Sequence, residues 1–262
     1  METLTSRRSF LHLTGSVASG IALSAISSTV LAAGKKEDKG KESEVNPVED
    51  LMREHGVLRR VLLIYDEAAG RLLKGSNKLP PGVIEDSARI IRRFIEDYHE
   101  KLEEEEIFPR VRKAVKFDDL VKVLLVQHQA GRRLTDIILQ LSQVEIPKAA
   151  KQEEGESEAM KQIYGGTPFF RWKGKDKKQD LVATMQQFIH MYRPHADRED
   201  TVLFPAFRSI VSPGEFDELG EKFEDREKEL FGKEGFEKMV ESVGEIEKKL
   251  GIYELSEFTP KA

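Results

Sequence analysis

The sequence predicts an all-α protein: an antiparallel up-down four-helix bundle followed by a C-terminal helical hairpin. Three observations carry that prediction. Apolar residues recur at intervals of three and four along four long stretches. No stretch alternates in the manner of a strand. Two of the four stretches also share a histidine-and-acid pattern at one spacing, an internal repeat visible without any alignment. Long amphipathic helices bury their apolar stripes most simply against one another.

Residues 1–33 read as a targeting segment. Ser6-Arg7-Arg8-Ser9-Phe10-Leu11 precedes a mildly apolar run, 17–31, softened by Ser, Gly and Ala. This resembles a bacterial twin-arginine export signal, with small residues for cleavage at Ala32 or Ala33. Removal is favoured over retention, because the run is short and weakly apolar for a spanning helix. The resemblance implies a periplasmic or otherwise exported protein, with the twin-arginine translocase as its partner during export. An uncleaved signal would leave the chain tethered to the membrane. Residues 34–46 are a charged, low-hydrophobicity linker outside the fold.

The bundle is expected over 47–212. Pro47 suits a helix start, and Val48, Leu51, Met52, His55, Leu58, Leu62 and Leu63 line one face until Gly70 and then 75–81 end the helix. A second helix is expected over 83–111, around Ile91, Phe94, Ile95, Tyr98, Leu102 and Phe108. A third covers 118–141, around Leu120, Leu124, Leu125, Leu134, Ile137, Ile138 and Leu141. A long polar connection, 146–177, carries Thr167-Pro168-Phe169-Phe170-Arg171-Trp172, and loops of this length are functional or unstructured. The fourth helix covers 178–210, around Leu181, Met185, Phe188, Tyr192, Leu203 and Phe207, and Ser212-Pro213-Gly214 stops it. The extension, 213–262, holds two shorter helical patterns. One carries Phe216, Leu219 and Phe223; the other carries Phe236, Met239, Val240, Val243, Ile246 and Leu250.

Composition limits the chemistry. The net charge of -5 leaves no nucleic-acid footprint. With no cysteine there is no disulfide, thiolate site or iron–sulfur cluster. Any metal is held by nitrogen and oxygen donors, which suits iron, manganese or zinc. No nucleophilic triad or phosphate-binding loop is evident, so no catalytic residue is named and no organic substrate is indicated.

The repeat supplies the donors. His99 to Pro109 and His195 to Pro205 both place Glu four residues after His, an acid at five, Phe at nine and Pro at ten. Positions i and i+4 share a helix face, so His99 with Glu103 and His195 with Glu199 can each reach one cation. The other two helices carry one inward histidine each, His55 and His128. Two half-sites follow: His55, His99 and Glu103, and His128, His195 and Glu199, with the glutamates able to bridge. A lone buried histidine is more often a hydrogen-bonded core residue, and an acidic run such as 103–106 is more often a solvated face. The matched pairs together outweigh that reading. Glu100 and Asp200 are additional candidate ligands, and Tyr192, one turn before His195, is a candidate outer donor or a core residue. His190 lies about 140° around the helix from His195 and should point elsewhere.

These residues resemble the hemerythrin family, specifically bacterial His-His-Glu cation-binding domains. The resemblance spans about 47–210 and rests on His99 to Pro109, on Gln127-His128 through Thr135-Asp136, and on Met191-Tyr192-Arg193-Pro194-His195 through Phe204-Pro205. It implies two iron ions bridged by two carboxylates and an oxo or hydroxo group, meeting dioxygen or another small diatomic or peroxide ligand. One departure stands out. Oxygen carriers of the family hold a second histidine four residues along the third helix, and here that position is Arg132. The resemblance then implies a more symmetric, carboxylate-rich center. Two functions fit: a di-iron protein that binds or senses a small molecule or handles iron, and a di-iron oxidoreductase acting on peroxide, nitric oxide or Fe(II).

Overall fold

The computed structural model describes residues 46–75, 79–114, 117–142 and 176–260. The export motif and the aromatic cluster from Thr167 to Trp172 lie outside the described residues. Six helices make up the described fold, with no strand among the described residues. Helix α1 is Pro47–Leu73 and α3 is Asp118–Ser142. Helix α2 runs over 83–114 and α4 over 177–210, each with π-helical turns inside it. The hairpin consists of α5, Pro213–Phe231, and α6, Gly235–Leu250.

Local chemistry explains the boundaries. The Asn46 side chain accepts from the Val48 and Glu49 amides, and Pro47 fills the first turn, where a missing amide costs nothing. Asp176 caps α4 in the same way, accepting from Lys178 and Gln179. Ser212 caps α5 ahead of Pro213. One expectation is corrected: α1 passes through Gly70 and ends at Leu73. The residue that turns the chain is Gly75, at φ 67°, a left-handed conformation that costs a side-chain-bearing residue more.

Helix α3 packs between α4 and the first part of α2, and α1 packs along α4. The last turns of α2 and α4 meet, so these two helices run in the same direction, as alternate members of an up-down bundle do. The interior is filled by large side chains, among them Tyr65, Phe94, Tyr98, Phe188, Tyr192, Phe204 and Phe207. Each such burial is worth roughly 1.5–3 kcal/mol. Against that background the buried Glu54, Glu96, Glu100, Glu103 and Glu199 stand out, because a carboxylate in a dry interior is stable only when paired.

The hairpin closes over α1. Arg60 donates from Nε to Glu247 Oε1 at 2.9 Å and from its terminal nitrogen to Oε2 at 2.5 Å, and Arg53 lies 4.3 Å over the Phe236 ring. Arg60→Ala would leave Glu247, only 5% exposed, without its guanidinium. Urea unfolding should show a loss of roughly 1–3 kcal/mol, and amide exchange in α6 should accelerate. Unchanged stability and exchange would mean that apolar packing alone holds the hairpin.

Candidate metal center

The six residues of the repeat and its companions converge in the middle of the bundle, all buried. Donor atoms of His55, His99 and Glu103 lie within 4.8 Å of one another, and so do those of His128, His195 and Glu199. The Nε2 atoms of His55 and His99 are 3.0 Å apart. Two donors at right angles, each about 2.1 Å from one cation, would stand about that far apart.

The carboxylates sit between the halves. Glu103 places Oε1 3.6 Å from His99 Nε2 and Oε2 3.5 Å from His128 Nε2. Glu199 places Oε2 3.3 Å from His55 Nε2 and 3.1 Å from His195 Nε2, with Oε1 3.9 Å from His128 Nε2. Both therefore face both halves, the arrangement of a bridging ligand. All four of these carboxylate oxygens, and His128 Nε2, are buried without a hydrogen bond of acceptable geometry. Buried polar atoms are nearly always satisfied, so this cluster of orphans fits cations placed among them.

Each imidazole is held from behind. His55 Nδ1 is 2.6 Å from Asp200 Oδ1, His99 Nδ1 2.8 Å from Glu54 Oε2, His128 Nδ1 3.1 Å from Glu104 Oε1, and His195 Nδ1 2.9 Å from Gln127 Oε1. An Nδ1–H donated outward fixes the tautomer and aims the Nε2 lone pair inward, as metal-binding histidines require. Glu54, Glu104 and Gln127 were not singled out from the sequence. Glu54 and Gln127 adjoin His55 and His128, and Glu104 is the repeat's acid at five, the counterpart of Asp200; their function needs a partner on another helix.

The other candidates fall outside the ring of Nε2 atoms. Asp200 occupies the outer nitrogen of His55 and is bound by Arg59 at 2.5 Å. Glu100 accepts from the Tyr192 hydroxyl at 2.6 Å and pairs with Arg132 at 2.8 Å. Tyr192 thus donates to Glu100, while its ring packs edge-on against His195. His190 is exposed. Glu100, Glu104 and His128 form a third acidic group, but Arg132 already lies in it, 2.8 Å from Glu104, and supplies its positive charge.

The repeat's Phe-Pro tail has a structural role. Phe204 stacks on His55 and Phe108 on His128, so each motif covers the single histidine of another helix. Both glutamates open a π turn: the Phe108 amide bonds to the Glu103 carbonyl and the Phe204 amide to that of Glu199. Proline lacks an amide and crowds the preceding turn, and a widened turn just before Pro109 and Pro205 accommodates it. The sequence reading expected unbroken helices there.

Electrostatics agree with a site built for positive charge. Burial, and then the charge of Glu199, push the Glu103 carboxyl well above the usual range. Glu199 is held well below it, because His195 and His55 outweigh its burial. Burial lowers His99, and lowers His128 to about 4, so both are neutral imidazoles able to donate a lone pair. His55 is drawn up to about 9, its burial outweighed by Asp200 and Glu199; a cation at Nε2 would take that proton's place.

The family model of the hemerythrin HHE cation-binding domain matches residues 46–207. The chain belongs to that family. Relatives at 43% identity over 258 residues, spanning 97% of this chain and 91% of theirs, include uncharacterized proteins of Mycobacterium bovis and of Mycobacterium tuberculosis. No solved structure matches the chain significantly. Within this hemerythrin-family center, Gly131 of α3 lets Tyr192 pass: an added Cβ there would stand 1.9 Å from the Tyr192 hydroxyl oxygen. Gly131→Ala should therefore displace Tyr192 from Glu100 and lower stability by roughly 1–3 kcal/mol. A melting temperature equal to that of the parent chain would show that the contact gives way freely.

Proposed function

We propose that this chain is an exported, non-haem di-iron protein whose center binds dioxygen or a related small molecule. The observation that supports it most is the set of four inward Nε2 atoms around two carboxylates whose oxygens lack hydrogen-bond partners. His55 and His99 would hold one iron and His128 and His195 the other, with Glu103 and Glu199 shared between them. When bound, the iron pair would supply reversible one-electron chemistry and coordination positions for a small ligand. The protein's part is to aim the imidazoles, through Asp200, Glu54, Glu104 and Gln127. It also excludes larger molecules: the six donors are 0–3% exposed, so a visitor must consist of a few atoms. The proposed export rests on Arg7 and Arg8 with the apolar run that follows them.

Metal analysis with an absorption spectrum of the chain, purified without added metal and then exposed to air, tests this reading. Two irons per chain with the near-ultraviolet bands of a coupled ferric pair are expected. One zinc, or no metal after iron loading, would sink it. His99→Ala and His195→Ala should each lose metal and melt at lower temperature, since removing a ligand leaves buried charge uncompensated. His190→Ala should retain both metals. Two irons retained in both ligand variants would refute the assignment.

A further inference from the structure

The central donors are matched between the halves: two imidazoles each, and two shared carboxylates. A difference in kind between the two halves lies behind the histidines. In the first half both Nδ1 atoms meet carboxylates, Asp200 and Glu54. In the second, His128 meets the carboxylate of Glu104, but His195 meets the neutral amide of Gln127.

Cations also reach the carboxylates around His128. Glu104 shares its charge with Lys101 at 2.6 Å and Arg132 at 2.8 Å. Glu100, 3.9 Å from His128 Nδ1, is also bound by Arg132. Behind the first half, Arg59 binds Asp200, while Glu54 Oε1 accepts from the neutral Tyr98 hydroxyl at 3.2 Å. Arg132 thus draws on both carboxylates that lie near His128 Nδ1. A carboxylate accepting the Nδ1 proton makes Nε2 a stronger donor. An amide does less, and so does a carboxylate whose charge is already shared.

We propose that the two metal positions are unequal, the His55–His99 position binding tightly and the His128–His195 position weakly, with Gln127 as the positioning residue that sets the weaker one. This rests on the reading that two cations occupy the center. The weak position is then the one whose occupancy follows the free cation concentration.

Calorimetric titration of the metal-free full-length chain with Mn(II), under argon, tests it. Two neighboring cations repel, so two unequal events would appear even in a symmetric center; the variants decide. His195→Ala should leave one tight event, and His99→Ala one event at least tenfold weaker. Gln127→Glu should tighten the second event of the otherwise unaltered chain by about 10–100-fold, and Glu54→Gln should weaken the first by a similar factor. Circular dichroism checks that each variant is folded. Equal affinities left by His195→Ala and His99→Ala, or a Gln127→Glu effect on the first event, would overturn the inequality while leaving the di-metal reading intact. Fewer than two events in the parent chain, with Mn(II) and with Fe(II), would remove the di-metal reading and this proposal together.

Discussion

The burial of Glu103 and Glu199 between four imidazoles is the constraint around which this bundle is organized. Two carboxylates in a dry core repel each other and have lost their water, and removing such charges from solvent costs several kcal/mol per ion even after relaxation. Positive charge must be supplied, and the histidines supply it only in part. The remaining deficit is what makes the center a cation site. It also explains why the adjoining carboxylates Glu96, Glu100 and Glu104 are accompanied by Arg92 and Arg132.

The two halves of the center are related by the internal repeat in a crossed manner. A His-Glu pair from α2 serves with the single histidine of α1, and its counterpart from α4 serves with that of α3. The phenylalanine at the end of each motif then covers the opposite single histidine: Phe204 covers His55 and Phe108 covers His128. The repeat is therefore both a ligand pattern and an interlock. Each motif covers a ring that it does not itself carry, and a π turn precedes each of the two phenylalanines.

Arg132 stands where the oxygen-carrying pattern places a further histidine. In the oxygen-carrying pattern that position would add a ligand to the center. Here its guanidinium turns to Glu100 and Glu104, so the donors are balanced and the imbalance moves outward to the hydrogen-bonding layer. The small side of α3 at Gly131 belongs to the same arrangement, because it gives the Tyr192 hydroxyl room to reach Glu100.

How much of this is legible in the chain alone follows from the range of the interactions. Helical periodicity and the i, i+4 spacing of His with Glu are local, so the all-helical class and the six residues that gather at the center could be named without coordinates. Pro47, Ser212 and Pro213 marked helix ends for the same reason. Gly70 misled, because a glycine is tolerated inside a helix that tertiary packing supports. The roles of Glu54, Glu104, Gln127 and Asp200 were decided only by the tertiary structure, as were the pairing of Glu100 with Arg132 and the stacking of Phe204 and Phe108. Each depends on a side chain meeting a partner on another helix, and a hydrogen bond differs from a near miss by a few tenths of an ångström, a distance that residue spacing does not encode.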